Sequence, residues 1–309
     1  MSLEQVRAYC IDCFFGSRIN INELYVAARV SSRTLEHDVN GIGITYGEGE
    51  QALAILLRKE NENARPVAQA IADQFGIPVT VTVAGEFQSV RPIPHISRQK
   101  IRPARGGVSI GHYRITAGTF GCLVKDNAGL EYILSNNHVL ANSNNARQGD
   151  PIYQPGPYDG GTPNDEIARL WAWKTLDPNG VNYVDAALAR PINAQYVSPD
   201  ILQIGRVRGV VTPTLGLGVK KSGRTTGLTR GVITILRAYV KVYYPSLGSL
   251  VFDDQIVIQP SGFSKGGDSG SLVLDENNRA VGLLFAGSEV FTLANPISRV
   301  MQELNISAI

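Results

Sequence analysis

The chain has 309 residues, with 29 Lys and Arg against 27 Asp and Glu and a formal net charge of +2. That balance argues against nucleic acid or an anionic membrane as partner, and no apolar run is long enough to span a bilayer. A hydrophobic content of 43%, with 32 glycines and 16 prolines, suits a sizeable core built from short strands and tight turns.

The first stretch predicts two helices, near residues 3–14 and 20–30. Glu4, Arg7 and Asp12 interrupt its apolar residues, so it does not read as a secretory signal. Together with only three cysteines, this gives the expectation of a cytoplasmic protein. Cys10 and Cys13 form a C-x-x-C without a second ligand pair or nearby histidine, so helical spacing is the expected reason for the interval. Cys122, in Phe120-Gly121-Cys122-Leu123-Val124, reads as a small apolar core residue.

Strands follow at Gly41–Tyr46 and Ala52–Leu57, around the turn Gly47-Glu48-Gly49. A helix over 64–75 carries Val67, Ala70, Ile71 and Phe75 at helical spacing, and Gly76 stands where a helix stops. Pro78–Val83 reads as a strand. This ββαβ order predicts a small N-terminal α/β domain over 1–95, without visible chemistry of its own. Residues 96–106, with Arg98, Lys100, Arg102, Pro103 and Arg105, read as a basic, solvated linker.

From 107 to 309 short strands alternate with turn signals at Asp126-Asn127, Pro155-Gly156, Asn179-Gly180 and Asn277-Asn278, which is an all-β signature. The end, Ser298 to Leu304, predicts a short amphipathic helix with Val300, Met301 and Leu304 on its apolar side.

Three pieces of this region carry chemistry. Gly267-Asp268-Ser269-Gly270-Ser271 puts a hydroxyl on a glycine-rich turn whose backbone N–H groups can face a substrate carbonyl. Ser135-Asn136-Asn137-His138-Val139-Leu140 places a histidine after the apolar run Tyr132-Ile133-Leu134. Val184-Asp185-Ala186-Ala187-Leu188 sets one carboxylate in an apolar segment. Each alone has a plainer reading: a turn serine, a core histidine, an aspartate capping a turn or pairing with Arg190. Together they stand in the order His, Asp, Ser, at sequence separations of 47 and 84. The other histidines, His37, His95 and His112, fall outside this region or at its opening.

These motifs, with Gly223-Arg224-Thr225-Thr226-Gly227, resemble the trypsin/chymotrypsin-like serine peptidases of the bacterial, disulfide-free type. Gly106 to Tyr113 and Ala141-Asn142-Ser143-Asn144 resemble, more narrowly, the narrow-leaf-type group of trypsin-like peptidases. The chain departs from the digestive enzymes in carrying Asn136-Asn137 where they have two alanines, and in lacking a cysteine pair around the histidine. The resemblance implies a mainly β, chymotrypsin-like double β-barrel over about 107–200 and 201–297, beside the N-terminal α/β domain. It implies a serine endopeptidase with a His138-Asp185-Ser269 triad, an oxyanion hole from the Gly267 and Ser269 N–H groups, and no cofactor or metal. Leu284, Phe285 and Ala286 would line an extended protein or peptide substrate.

Phe263 stands where trypsin-like enzymes carry the carboxylate that selects Arg or Lys. The expected P1 preference is therefore small or apolar, with an acidic residue drawn in by Lys265 as the second choice. In the digestive enzymes a freed N-terminus pairs with the aspartate before the nucleophile, here Asp268, and Arg105-Gly106 offers a cut. The N-terminal domain is expected instead to regulate or assemble the protein, its strand edges pairing subunits into a homo-oligomer. Two other functions stay open: a non-catalytic peptide-binding module on a protease scaffold, and an esterase or other acyl hydrolase.

Overall fold

The computed structural model describes residues 1–15, 28, 35–47, 50–87 and 96–309. Helix α1 (Leu3–Phe15) and the single turn α2 (Leu35–Asp38) come first, then strands β1 (Val39–Gly47) and β2 (Glu50–Leu57). Helix α3 (Ala64–Phe75) and strand β3 (Val79–Val83) complete the ββαβ order. The helix expected over 20–30 and Glu48-Gly49 of the expected turn lie outside the described residues, save residue 28.

α1 buries Val6, Cys10, Cys13 and Phe14 on its inner face, so the C-x-x-C interval serves packing. Burial, then the neighbouring Cys13, pushes the Cys10 thiol up to about 12, far from a reactive thiolate. Cys122 is buried in the β part, as expected. α3 turns Val67, Ala68 and Ile71 inward and ends at Gly76, whose φ of 65° lets its N–H reach Ala72 O. β1 and β2 pair antiparallel, whereas β2 and β3 run parallel because α3 carries the chain back between them.

After one turn of 3-10 helix at Ile96–Arg98 come β4 (Ala104–Gly106), β5 (Ser109–His112), β6 (Gly118–Thr119), β7 (Cys122–Asp126) and β8 (Glu131–Ser135). The one-turn helix α4 (Asn137–Leu140) follows, then β9 (Pro151–Tyr153), β10 (Glu166–Trp173), β11 (Val181–Asn182) and β12 (Ala187–Pro191). Next are β13 (Val197–Ile201), β14 (Gly205–Arg206), β15 (Gly218–Gly223), β16 (Gly227–Tyr244) and β17 (Gly248–Gln259). β18 (Leu272–Asp275), β19 (Ala280–Gly287), β20 (Thr292–Pro296), α5 (Ile297–Glu303) and β21 (Ile306–Ala308) close the chain.

The fold is mainly β and has the double-barrel, chymotrypsin-like form expected from the sequence. In the first half the sheet order is β21-β7-β8-β12-β10-β9-β5-β6. Bonds from Gly107 N to Phe120 O (2.7 Å) and Phe120 N to Val108 O (2.9 Å) tie its β5 side back to its β7 side. Ile110, Ile133, Val139, Ile152 and Leu170 fill its centre. In the second half β15, β16, β17, β20, β19 and β18 form a ring, closed because β16 pairs with both β15 and β17. Val219, Ile233, Ile256, Ile258 and Val281 pack inside it.

β16 is 18 residues long, more than a small barrel uses. Gly227–Val232 pair with β15, and further along the same edge Leu236, Tyr239 and Val240 pair with Ile44, Ile42 and Gly41 of β1. The N-terminal strands therefore extend the sheet of the second barrel. Leu56, Ala84 and Phe87 share a core cluster with Val240, Phe252 and Phe285. Of the edges expected to pair subunits, that of β1 is already occupied within the chain, and β3 is the terminal strand of the sheet.

The solvated linker needs correction. Ser97, Arg98 and Ala104 are buried, and β4 pairs in parallel with β13. Basic composition misled at Lys100 and Arg102 because their charges find partners: Lys100 Nζ lies 2.6 Å from Asp165, and Arg102 donates to Gln154 O at 3.0 Å. α5 falls where expected and buries Ile297 and Val300. β21 was not foreseen. It pairs Ile306 with Asp126 of β7, bringing the chain end back to the first barrel.

Candidate active site

β8 runs through the first barrel and delivers Asn136, Asn137 and His138 at its exit. The asparagine pair that replaces the expected alanines has structural work in this loop. Asn136 Nδ2 donates to Asp185 O at 2.6 Å, and Asn137 Nδ2 donates to Lys174 O at 2.7 Å and Asn144 Oδ1 at 2.8 Å. Asn144 in turn bonds both ways with Leu176, its Oδ1 accepting at 3.0 Å and its Nδ2 donating at 2.8 Å. Asn142, Ser143 and Asn144 all have φ between 49° and 70°, a left-handed run that short polar side chains tolerate best. These amides fix the segment after the histidine to the segment leading to Asp185.

Asp185 is wholly buried and His138 has a side-chain exposure of 15%. His138 Nδ1 lies 2.5 Å from Asp185 Oδ2, and His138 N donates to Oδ1 at 3.2 Å. A carboxylate only accepts, so Nδ1 carries a proton, and in the neutral ring Nε2 is left as the acceptor. Asp185 N donates to Asn295 Oδ1 at 3.0 Å, Asn295 Nδ2 to Gln255 Oε1 at 2.6 Å, and Tyr244 OH to Asp185 Oδ2 at 2.7 Å. Asp185 makes no bond to Arg190, so the plainer ion-pair reading is not what this residue does.

Ser269 stands on the loop from β17 to β18, between two glycines with φ of 92° (Gly267) and 94° (Gly270). Both conformations are strained for any residue with a side chain. A Cβ at Gly267 would meet Arg224 Nη1 at 2.6 Å, and one at Gly270 would meet Ser135 Oγ at 2.1 Å and Thr119 O at 2.4 Å. Gly270→Ala is thus expected to cost at least about 1–3 kcal/mol and to disorder the Ser269 loop. Urea denaturation beside wild type checks this, and an unchanged midpoint would refute it.

The loop is held by its carbonyls. Thr225 Oγ1 donates to Gly266 O at 2.6 Å, Thr119 Oγ1 to Gly267 O at 2.8 Å, and Thr119 N to Ser269 O at 2.8 Å. Among the described residues neither Gly267 N–H nor Ser269 N–H has an acceptor, whereas Asp268 N and Gly270 N do. In a planar trans peptide the N–H points opposite to the carbonyl, so the Gly267 donor faces away from Thr225. Ser269 Oγ itself donates to Phe285 O at 3.3 Å, and no hydrogen bond joins it to His138 Nε2 in this structure.

Asp268 is buried beneath the loop and accepts from Thr225 N (2.7 Å), Thr226 N (3.1 Å), Thr226 Oγ1 (2.7 Å) and Lys265 N (2.9 Å). Lys221 Nζ, also fully buried, lies 3.5 Å from its Oδ2. Burial pulls the Lys221 ammonium down and the Asp268 charge opposes that shift. An internal cation thus occupies the partner position expected for a freed N-terminus, and Gly106, at the suggested cut, is buried in β4. Arg224 forks onto Asp159 with two contacts of 2.5 Å, joining the two barrels beside Gly267.

The four residues expected to line the substrate are almost closed off. Phe263 and Leu284 belong to the second barrel's core, and Phe285 and Ala286 to the cluster shared with the N-terminal strands. Their side chains present little open surface, while the carbonyls of Leu284 and Phe285 meet the Ser269 loop, accepting from Gly270 N at 2.8 Å and Ser269 Oγ at 3.3 Å. Lys265 is exposed. His112 is buried on Asp150 at 3.0 Å, in a structural place away from the pair His138–Asp185. Tyr244, Lys221 and Asn295 are not marked by the sequence, and Asn144 is marked only as part of a resembling stretch. A tyrosine ending a long β-branched strand, or a lysine in an apolar one, carries too weak a signal.

No protein-family model matches the chain, and no curated protein matches it. Among solved structures, a Nocardiopsis protease (NAPase) aligns at 18% identity and a TM-score of 0.48, over 66% of this chain and 97% of its own. A glutamic-acid-specific serine protease that uses a histidine triad in substrate binding aligns at 18% and 0.49, over 67% of this chain and 100% of its own. Thermobifida fusca protease A aligns at 17% and 0.48, over 66% and 97%. These are similarities to serine proteases at low identity, and the chemistry has to be read from the residues of this chain.

Proposed function

We propose that the chain is a serine endopeptidase of the trypsin/chymotrypsin-like type, nearest in its motifs to the narrow-leaf-type group. The observation that carries this reading is the 2.5 Å contact of His138 Nδ1 with a wholly buried carboxylate, in a molecule that also sets Ser269 between two positive-φ glycines. In this reading Ser269 Oγ leaves Phe285 O and attacks the scissile carbonyl. His138 Nε2 takes the hydroxyl proton and then gives it to the leaving amine, while Asp185 stabilises the imidazolium. The unoccupied N–H groups of Gly267 and Ser269 meet the oxyanion, and loss of one such donor costs about 10²–10³ in rate. Once Ser269 Oγ leaves Phe285 O, the β19 backbone at that carbonyl would pair with an extended peptide. The protein is proposed to act in the cytoplasm, without cofactor, nucleic acid or membrane.

The bond from Ser269 Oγ to Phe285 O, away from His138, favours a second reading as a non-catalytic peptide-binding module. Catalytic hydrogen bonds are often loose before substrate arrives, so the geometry suits both. A fluorophosphonate probe separates them: stoichiometric labelling at Ser269 is expected, and none would leave the module. A peptide-library screen then tests substrate choice. Cleavage after small or apolar P1 residues is expected, with acidic P1 through Lys265 second, and esters alone would mark an acyl hydrolase. Dominant cleavage after Arg or Lys would refute the assignment of Phe263.

A further inference from the structure

We propose that Tyr244 is a positioning residue, its hydroxyl fixing the Asp185 carboxylate in the orientation that receives His138. The inference rests on the triad reading above and names a further member of the same site. Tyr244 OH donates to Asp185 Oδ2 at 2.7 Å, and that same oxygen accepts from His138 Nδ1 at 2.5 Å. Among the described residues the other oxygen, Oδ1, accepts only from His138 N, at 3.2 Å. A carboxylate oxygen has two lone-pair directions, so the phenol and the imidazole each take one. With one donor on each side of Oδ2, rotation of the carboxylate breaks both bonds at once.

The phenol is itself held. Tyr244 is 3% exposed, stacks on Phe252 at 6.0 Å and 24°, and pairs across the strand end with Gly248. Its ring stands edge-on to the His138 imidazole, 6.0 Å away at 74°. Burial, then the Asp185 charge, pushes the phenol well above its ordinary range, so it remains a donor at working pH. The placement also crosses the molecule: His138 and Asp185 come from the first barrel and Tyr244 from the second. The interval from Asp185 to Tyr244, 59 residues, carries no motif that could announce the contact.

Tyr244→Phe removes one oxygen and keeps the ring. The test follows the far-downfield proton resonance of the short Nδ1–H···Oδ2 bond, together with inactivation by a fluorophosphonate probe. In Tyr244→Phe the resonance should move upfield or vanish, and the maximal inactivation rate should fall about 10- to 100-fold with the probe's binding constant unchanged. If the variant does not fold, a fluorinated tyrosine placed at 244 keeps the shape and strengthens the donor, and the resonance should shift measurably. An unmoved resonance in either protein overturns the proposal, whatever happens to the rate. A resonance that moves in Tyr244→Phe while the wild-type protein takes no probe upholds the positioning role and refutes the peptidase reading instead.

Discussion

Ser269→Ala and His138→Ala are each expected to lower turnover by roughly 10⁴- to 10⁶-fold, and the double variant is expected to lose little more. The reason is that hydroxyl and imidazole act as one unit. Without Nε2 nothing takes the Ser269 proton, and without Oγ the proton acceptor has nothing to serve. The exchange should leave the fold intact. Ser269 Oγ makes one 3.3 Å bond, to Phe285 O, and His138 is already partly open to solvent. Rates on one peptide substrate, with circular dichroism and thermal melts as controls, check this. A single variant within tenfold of wild type would show that the protein does not use this pair.

The second large effect concerns stability. Arg224→Met is expected to cost about 3–5 kcal/mol, because it strands Asp159 beside the join of the two barrels without its fork of two 2.5 Å contacts. Among the described residues Asp159 then keeps one hydrogen bond, from the Ser109 hydroxyl at 2.5 Å, with the Arg98 charge in its neighbourhood. The double variant Arg224→Met/Asp159→Leu is expected to be more stable than Arg224→Met alone, since neither charge is then buried unpaired. Ser109 Oγ would retain its acceptor role toward Gly156 N at 3.0 Å. Urea unfolding of the three proteins measures the difference, and a single variant within about 1 kcal/mol of wild type would contradict it. Arg224 also packs against Gly267, so labelling of Ser269 should slow in the single variant.

Much of the β part could be read from the chain because its signals are local. Alternating apolar residues mark strands, and paired turn residues such as Asn277-Asn278 mark their ends, with Asn278 at φ 63°. Gly76 and the apolar face of 64–75 likewise mark the bounds of α3, and the helix expected near 3–14 stands at Leu3–Phe15. What escaped depends on distant pairing. Nothing within Gly227–Tyr244 says that its edge is shared by β15 and β1, because both partners lie elsewhere and its alternation serves either. The basic stretch from Arg98 to Arg105 looked solvated since composition reports charge and not the carboxylates and carbonyls that meet it. At the site the order His138, Asp185, Ser269 was legible, whereas the support was not. Asn136 and Asn137 registered only as departures from alanine, and their partners became visible once residues 174 to 185 were brought back beside them.

The union of β1 with β16 also bears on how this protein can be dissected. A chain begun at residue 96 would keep His138, Asp185 and Ser269 yet lay bare the backbone donors and acceptors of Leu236 to Val240, next to a core that had lost Leu56, Ala84 and Phe87. An unpaired, largely apolar strand border invites intermolecular pairing. The first third of the molecule therefore behaves as a built-in edge guard. A backbone nick between Phe87 and Ser97 would yield two fragments that stay clasped through the sheet and through Arg7, which lies 2.5 Å from Asp253.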